Sequence, residues 1–276
     1  MARIDHRNTT RYWNAPDFAG LSCLCADFTA HDFAPHSHEA LVVAVTEAGG
    51  SEIKSRGKTN EASRSALLVF NPAEPHSGRM ATSKRWRYRG LYLTQPALKK
   101  LGATLGIDAL PYFMANVIHD RSLIGSFLDL HISLQNKTDS LLERESLVAS
   151  FGQLFRRYGS RGERIPSARS DRGPVSSVRA LMQDRYREQL TLEEMGQVVG
   201  LTPFQLIRLF KRTIGLTPHA YLTQVRLKAA IREMRHGASI AEAALSAGFY
   251  DQSALTNHFK RAYGITPLQW VRAVSV

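Results

Sequence analysis

Two cysteines in 276 residues, Cys23 and Cys25, are too few and too closely spaced for a disulfide framework, and no familiar metal-site spacing accompanies them, so plain thiols are expected. Long apolar runs are missing as well. No stretch approaches eighteen consecutive apolar residues, and Arg3, Asp5, His6 and Arg7 stand where a secretory leader would need an apolar core, so a soluble, cytoplasmic chain without a membrane partner is expected. Acidic residues are the third shortage, 24 against 36 Lys and Arg, which leaves a net charge of +12. The surplus is 2 over residues 1–154, 4 over 155–169 and 6 over 170–276, so the charge that could neutralise phosphate sits in the last two-fifths of the chain.

What is present is a repeat. Gly200-Leu201-Thr202-Pro203, Phe210-Lys211-Arg212 and Gly215-Leu216-Thr217-Pro218 are answered by Gly248-Phe249-Tyr250-Asp251, Phe259-Lys260-Arg261 and Gly264-Ile265-Thr266-Pro267. Gly200 and Gly248 are 48 apart, whereas Phe210 and Phe259 are 49 apart, so the second copy holds one inserted residue. Repetition at this period marks two copies of one small helical unit.

Each copy reads as a helix-turn-helix. In the first, Leu192, Met195, Val198 and Val199 recur at helical spacing, predicting a helix of about three turns that stops at Gly200. Thr202 and Pro203 then supply an N-cap and a first-turn proline, and Leu206, Leu209 and Phe210 form the apolar face of a second helix ending near Gly215. In the second, Ile240, Ala243, Ala244 and Ala247 face inward, Gly248 breaks the helix, and Leu255 and Phe259 anchor the next one. The stretch from Thr217 to Arg235 has no internal breaker and predicts one stiff connecting helix of about five turns.

The polar face of each second helix decides between DNA binding and mere packing. Around the first its side chains are Thr202, Pro203, Gln205, Arg208, Lys211 and Arg212, and around the second Gln252, Ser253, Thr256, Asn257, Lys260 and Arg261. Gln and Asn suit adenine, Arg suits guanine and Lys suits phosphate. An ordinary solvated helix shows the same residue types; the same Lys-Arg pair after the same Phe in both copies favours DNA. Because Gln205 and Arg208 differ from Ser253, Thr256 and Asn257, the expected site is asymmetric.

On these residues, with Tyr221-Leu222, Arg226-Leu227, Ser239-Ile240-Ala241-Glu242-Ala243-Ala244 and Asp251-Gln252-Ser253, residues 181–273 resemble the DNA-binding domain of AraC/XylS-type transcriptional regulators, a helical unit with two helix-turn-helix motifs. Leu255-Thr256-Asn257-His258 departs from that family's usual aromatic, serine and arginine. The resemblance implies double-stranded promoter DNA and RNA polymerase as partners, and activation in preference to repression.

The N-terminal part reads as short strands, Leu41 to Thr46, Ser65 to Phe70 and Tyr88 to Leu93, punctuated by Gly49-Gly50, Asn71-Pro72 and Glu74-Pro75, which predicts a small barrel or jelly roll. Pro35-His36-Ser37-His38-Glu39, the run from Leu67 to His76 and Arg85 to Leu93 are similar to the cupin-like effector domain of the same regulators. His36, His38 and His76 could hold a metal, and a metal-dependent cupin enzyme is the rival function. The carboxylate such cupins place after the His pair is replaced by Val42 and Val43, so no metal or other cofactor is expected, and the histidines with Trp86, Tyr88 and Tyr92 are read as lining a small-molecule effector pocket.

Two further helices are predicted, on Leu123, Phe127, Leu130, His131 and Leu134, and on Leu141, Leu142, Leu147, Phe151, Leu154 and Phe155, with a break at Asn136-Lys137-Thr138-Asp139. The whole is an α+β chain and not an enzyme: a cupin-like effector domain over 1–110, a helical hairpin for homodimerisation over 111–158, a linker over 159–174 and an all-α DNA-binding domain over 175–276.

Overall fold

Strand-forming and helix-forming sequence divide the chain in the computed structural model, which describes residues 8–80, 82–107, 109–136, 140–160 and 173–274. Two compact units result, one holding most of the residues up to 165 and one holding 166–276 together with the short segments 33–37 and 75–77. The proposed linker residues Arg161 to Arg172, and Lys137 to Asp139 of the helix break, lie outside the described residues.

The N-terminal strands are β1 (Asn8–Asn14), β2 (Leu21–Phe28), β3 (Phe33–His36), β4 (Ala40–Gly49), β5 (Ser51–Ser55), β6 (Lys58–Ala62), β7 (Leu67–Phe70), β8 (His76–Arg79) and β9 (Trp86–Thr94), followed by helix α1 (Gln95–Thr104) and the two-residue strands β10 (Tyr112–Phe113) and β11 (Val117–Ile118). They form a six-stranded sheet in the order β1-β2-β9-β4-β7-β11 and a four-stranded sheet in the order β3-β8-β5-β6. Sequence reading found β4, β7 and β9 and missed the other strands, the largely apolar β2 among them, and α1.

The apolar run in β4 does not alternate because both of its faces are covered. One face of the larger sheet, with Cys23, Leu41, Val43, Val45, Leu67, Val69, Leu91 and Leu93, packs into a core with α1, α2 (Arg121–Asn136) and α3 (Ser140–Tyr158). Leu123, Phe127, Leu130 and Leu134 come from α2, and Leu147, Phe151, Leu154 and Phe155 from α3, as their spacing predicts. Leu142 departs from that expectation and is exposed. After α3, Gly159–Ser160 forms a short strand, β12, that pairs with β10 where a linker was expected to begin.

A buried carboxylate ties the N-terminal unit together. Glu74 accepts hydrogen bonds from Ser55 Oγ at 2.6 Å, Asn71 Nδ2 at 2.7 Å and Asn116 Nδ2 at 2.7 Å, and is paired with Arg56 at 2.9 Å. Burial works to raise its pKa, but the donors from Arg56, Ser55, Asn71 and Asn116 outweigh it and hold the carboxyl below its usual range. Removing one partner from such a set costs about 3–5 kcal/mol, because a charge is left buried and uncompensated.

From residue 173 to 274 the regular elements are all helices: α4 (Pro174–Asp184), α5 (Leu192–Gln197), α6 (Pro203–Ile214), α7 (Pro218–Arg235), α8 (Ile240–Ser246), α9 (Gln252–Tyr263) and α10 (Pro267–Val274). Among the described residues, no helix is long and apolar enough to cross a membrane.

Candidate nucleic-acid interface and effector face

The pairs α5/α6 and α8/α9 are built by the same local chemistry. Thr191, Thr202, Ser239 and Asp251 cap α5, α6, α8 and α9, each accepting from the backbone amide three residues on. Each such cap is worth about 1 kcal/mol. Gly200 and Gly248 take positive φ, 66° and 81°, after the first helix of each pair. The next amide then reaches back into that helix, Leu201 N to Gly196 O and Phe249 N to Ala244 O, both at 2.9 Å, which fixes the turn. Phe210 and Phe259 are fully buried at matching positions of α6 and α9, and truncation of either to Ala costs about 3–5 kcal/mol.

One expectation needs correction. The first helix of the first pair is not three turns long; α5 has six residues, and Val198, read as core, is 54% exposed. Val198 keeps helical φ and ψ and bonds Glu194 O, and the Gly196-to-Leu201 bond then closes the turn.

Helix α7 joins the pairs. Its 18 residues span about 27 Å, and Leu222, Leu227, Ala229, Ala230 and Met234 are buried along it. Arg226, half-buried on α7, donates to Tyr186 O and Glu188 O, both at 2.7 Å, and so pins the loop after α4 to the connector.

Of the residues expected to face DNA, Thr202, Gln205, Arg208, Lys211 and Arg212 are exposed around α6, and Gln252, Ser253, Asn257 and Arg261 around α9; Pro203, Thr256 and Lys260 are half-buried. Gln205 already has a task. Its Oε1 accepts from Thr202 N at 3.0 Å and Thr202 Oγ1 at 3.2 Å, closing a capping box. The Thr-x-x-Gln spacing carried that signal in the sequence. In α9 the corresponding N3 residue is Ala254, so no side chain is drawn into a box there. His258, also on α9, stacks near His219 and Phe249, and burial, then the positive surroundings of His219, Arg261 and Arg226, push its pKa below the usual value.

Of the residues read as the effector wall, Trp86, Tyr88 and Tyr92 stand on β9 of the larger sheet, and His36 and His76 on β3 and β8 of the four-stranded sheet. Trp86 and Tyr88 are buried with ring centroids 4.6 Å apart, and Trp86 Nε1 donates to Thr46 Oγ1 at 3.3 Å. Tyr92 packs edge-on against His38 at 5.2 Å. Burial raises the Tyr88 and Tyr92 phenols, so both stay protonated donors. Gly90 leaves room for the Tyr92 ring, since a Cβ there would lie 3.3 Å from it. His36 and His76 are buried with centroids 4.5 Å apart, and His36 Nδ1 lies 2.7 Å from Ala34 O. A separate polar pocket of about 230 Å³ is lined by Gly50, Ser51, Glu52, Glu61, Met80 and Ser83, and none of the expected effector residues borders it.

Known proteins align with both halves. Residues 18–173 match the AraC-like ligand binding domain and residues 195–273 a helix-turn-helix domain. The uncharacterized HTH-type transcriptional regulator YbfI of Bacillus subtilis is 27% identical over 222 residues, 80% of each chain. The HTH-type transcriptional activator RhaS of Klebsiella pneumoniae is 27% identical over 134 residues, 48% of this chain and 47% of its own. Crystallised ToxT from Vibrio cholerae, 10% identical, superposes with a TM-score of 0.51 over 97% of this chain and 99% of its own, a likeness of fold. With a ligand-binding domain over more than half of its length and a helix-turn-helix domain after it, the chain belongs to the AraC family of DNA-binding transcriptional regulators.

Proposed function

We propose that this regulator is a cytoplasmic, effector-responsive activator that acts by binding and not by catalysis. The observation that carries the reading is the pair of similarly capped helix pairs on the single helix α7, with basic yet non-equivalent outer faces. In this reading α6 and α9 enter successive major grooves of promoter DNA. Arg208 reads guanine, Asn257, Gln252, Ser253 and Thr256 read bases in the second segment, and Lys211, Arg212, Lys260 and Arg261 hold phosphates, with Thr202 and Pro203 setting the approach of α6. A connector of about 27 Å is shorter than one DNA turn of roughly 34 Å, so the duplex bends toward the protein or the heads splay. The monomer's site is asymmetric.

The effector binds against Trp86, Tyr88, Tyr92, His36, His38 and His76, where flat aromatic rings and protonated phenols suit a small planar molecule with an acceptor group. Residues 1–110 sense, 111–158 dimerise the chain through the helical hairpin, 159–174 link, and 175–276 bind DNA. That RhaS of Klebsiella pneumoniae is a transcriptional activator supports activation and, with it, contact with RNA polymerase. Effector binding that shifts the DNA-binding geometry is worth about 1–3 kcal/mol. Selection of bound genomic fragments by the full-length chain, followed by sequencing, tests the reading. An enriched, non-palindromic element upstream of genes whose transcription rises with the regulator is expected, and fragments without a shared element refute it.

A further inference from the structure

The two heads differ in length by one residue, and the structure identifies it. Phe249 takes the place of Leu201, since both amides reach back 2.9 Å into the preceding helix, to Ala244 O and Gly196 O. Asp251 takes the place of Thr202 as N-cap. Tyr250, between them, has no counterpart in the first head. It is also 86% exposed.

We infer that Tyr250 is a further DNA-contacting residue, its ring lying on the deoxyribose and its hydroxyl donating to a phosphate oxygen at the edge of the groove that α9 enters. The inference rests on the placement of α9 in that groove. A residue just before the N-cap of a groove-reading helix stands at the border between base edges and backbone, and Tyr is among the side chains that contact phosphates there. The adjacent Asp251 carboxylate does not forbid this approach, because it accepts from Ala254 N at 2.6 Å and faces the positive end of the α9 dipole. A protein partner would want an apolar surround; the exposed neighbours Gln252, Ser253, Asn257 and Arg261 are of the kind nucleic acid selects.

The test uses the full-length chain and two duplexes of about 30 bp, one enriched by the wild-type protein from a randomised pool and one of arbitrary sequence. Tyr250→Ala is expected to weaken binding to both about tenfold, and Tyr250→Phe to recover part of the loss. The dependence of affinity on salt stays as in wild type, because no cation is removed, whereas Lys260→Ala lowers that slope by about one. Unchanged affinity of Tyr250→Ala on both duplexes, with Asn257→Ala weakened on the enriched one, overturns the inference and leaves the placement of α9 standing. Unchanged affinity of both variants refutes that placement and the inference with it. Lost reporter transcription with intact DNA affinity also overturns it, by assigning Tyr250 to the polymerase.

Discussion

Replacing Gly200 or Gly248 by Ala makes the same chemical change at equivalent turns, yet the outcomes should differ. Both glycines take left-handed φ, which costs an alanine about 1–2 kcal/mol. At Gly200 the cost ends there, because a Cβ would meet nothing within 4 Å. At Gly248 the Cβ would lie 2.6 Å from Tyr186 O and 2.8 Å from Arg187 Cα. These are backbone atoms, and Arg226 already holds Tyr186 O, so the loop cannot rotate away. Overpacking of this kind adds about 1–3 kcal/mol. Gly248→Ala should therefore melt well below Gly200→Ala, by about 4 °C or more for a unit of this size, in circular dichroism at 222 nm. Hydrogen exchange should show α8 and α9 loosening first. Equal melting losses, or a larger one for Gly200→Ala, would show that the loop after α4 does not buttress the second head.

Arg208→Ala and Asn257→Ala should each weaken binding to the enriched duplex by about 1–3 kcal/mol and relax preference at different base pairs; an unchanged footprint at fixed salt removes that residue from the base readers. His131 is buried against Arg89 and Leu24 O, and burial, then the Arg89 guanidinium, depress its pKa to about 4. Since the folded value lies below the unfolded one, the neutral ring's contribution is whole above about pH 6.5 and is lost as pH falls toward 4, amounting to about 2 kcal/mol by pH 5. Urea unfolding of His131→Gln should show a flatter pH dependence over that window, and an unaltered slope would refute the assignment. Protein purified without a histidine tag should carry no stoichiometric metal; iron, zinc or manganese lost on His36→Ala and His38→Ala would overturn the effector reading of those rings.

The helical half was legible because its signals are local. Positive-φ glycines, Thr and Ser caps and buried Phe210 and Phe259 all act within a few residues of where they stand. Gln205 was readable twice over, and the capping spacing competed with the base-reading interpretation of the same side chain. The strand half was harder. β1, β5 and β6 are largely polar and only partly covered, so neither alternation nor an apolar run marks them. The Arg56-Gly57 turn that joins β5 to β6 takes φ of 49° and 75° without the usual Asn-Gly. Contacts that define the unit, such as Glu74 with Arg56, Asn71 and Asn116, join residues up to 42 positions apart, which no local pattern encodes. The histidines were spotted by spacing, while their mutual approach required the fold.

Helix α7 contributes Leu222 to the core of the first head and packs against α8, α9 and α10 of the second. The heads therefore share a spine, and stability is common property while recognition is not. Substitution at the exposed positions of α6 leaves the packing of the other head untouched, whereas a change on the buried face of α7 is felt by both heads. Diversification should thus proceed by surface substitution on an intact pair, with the spine as the part least free to drift.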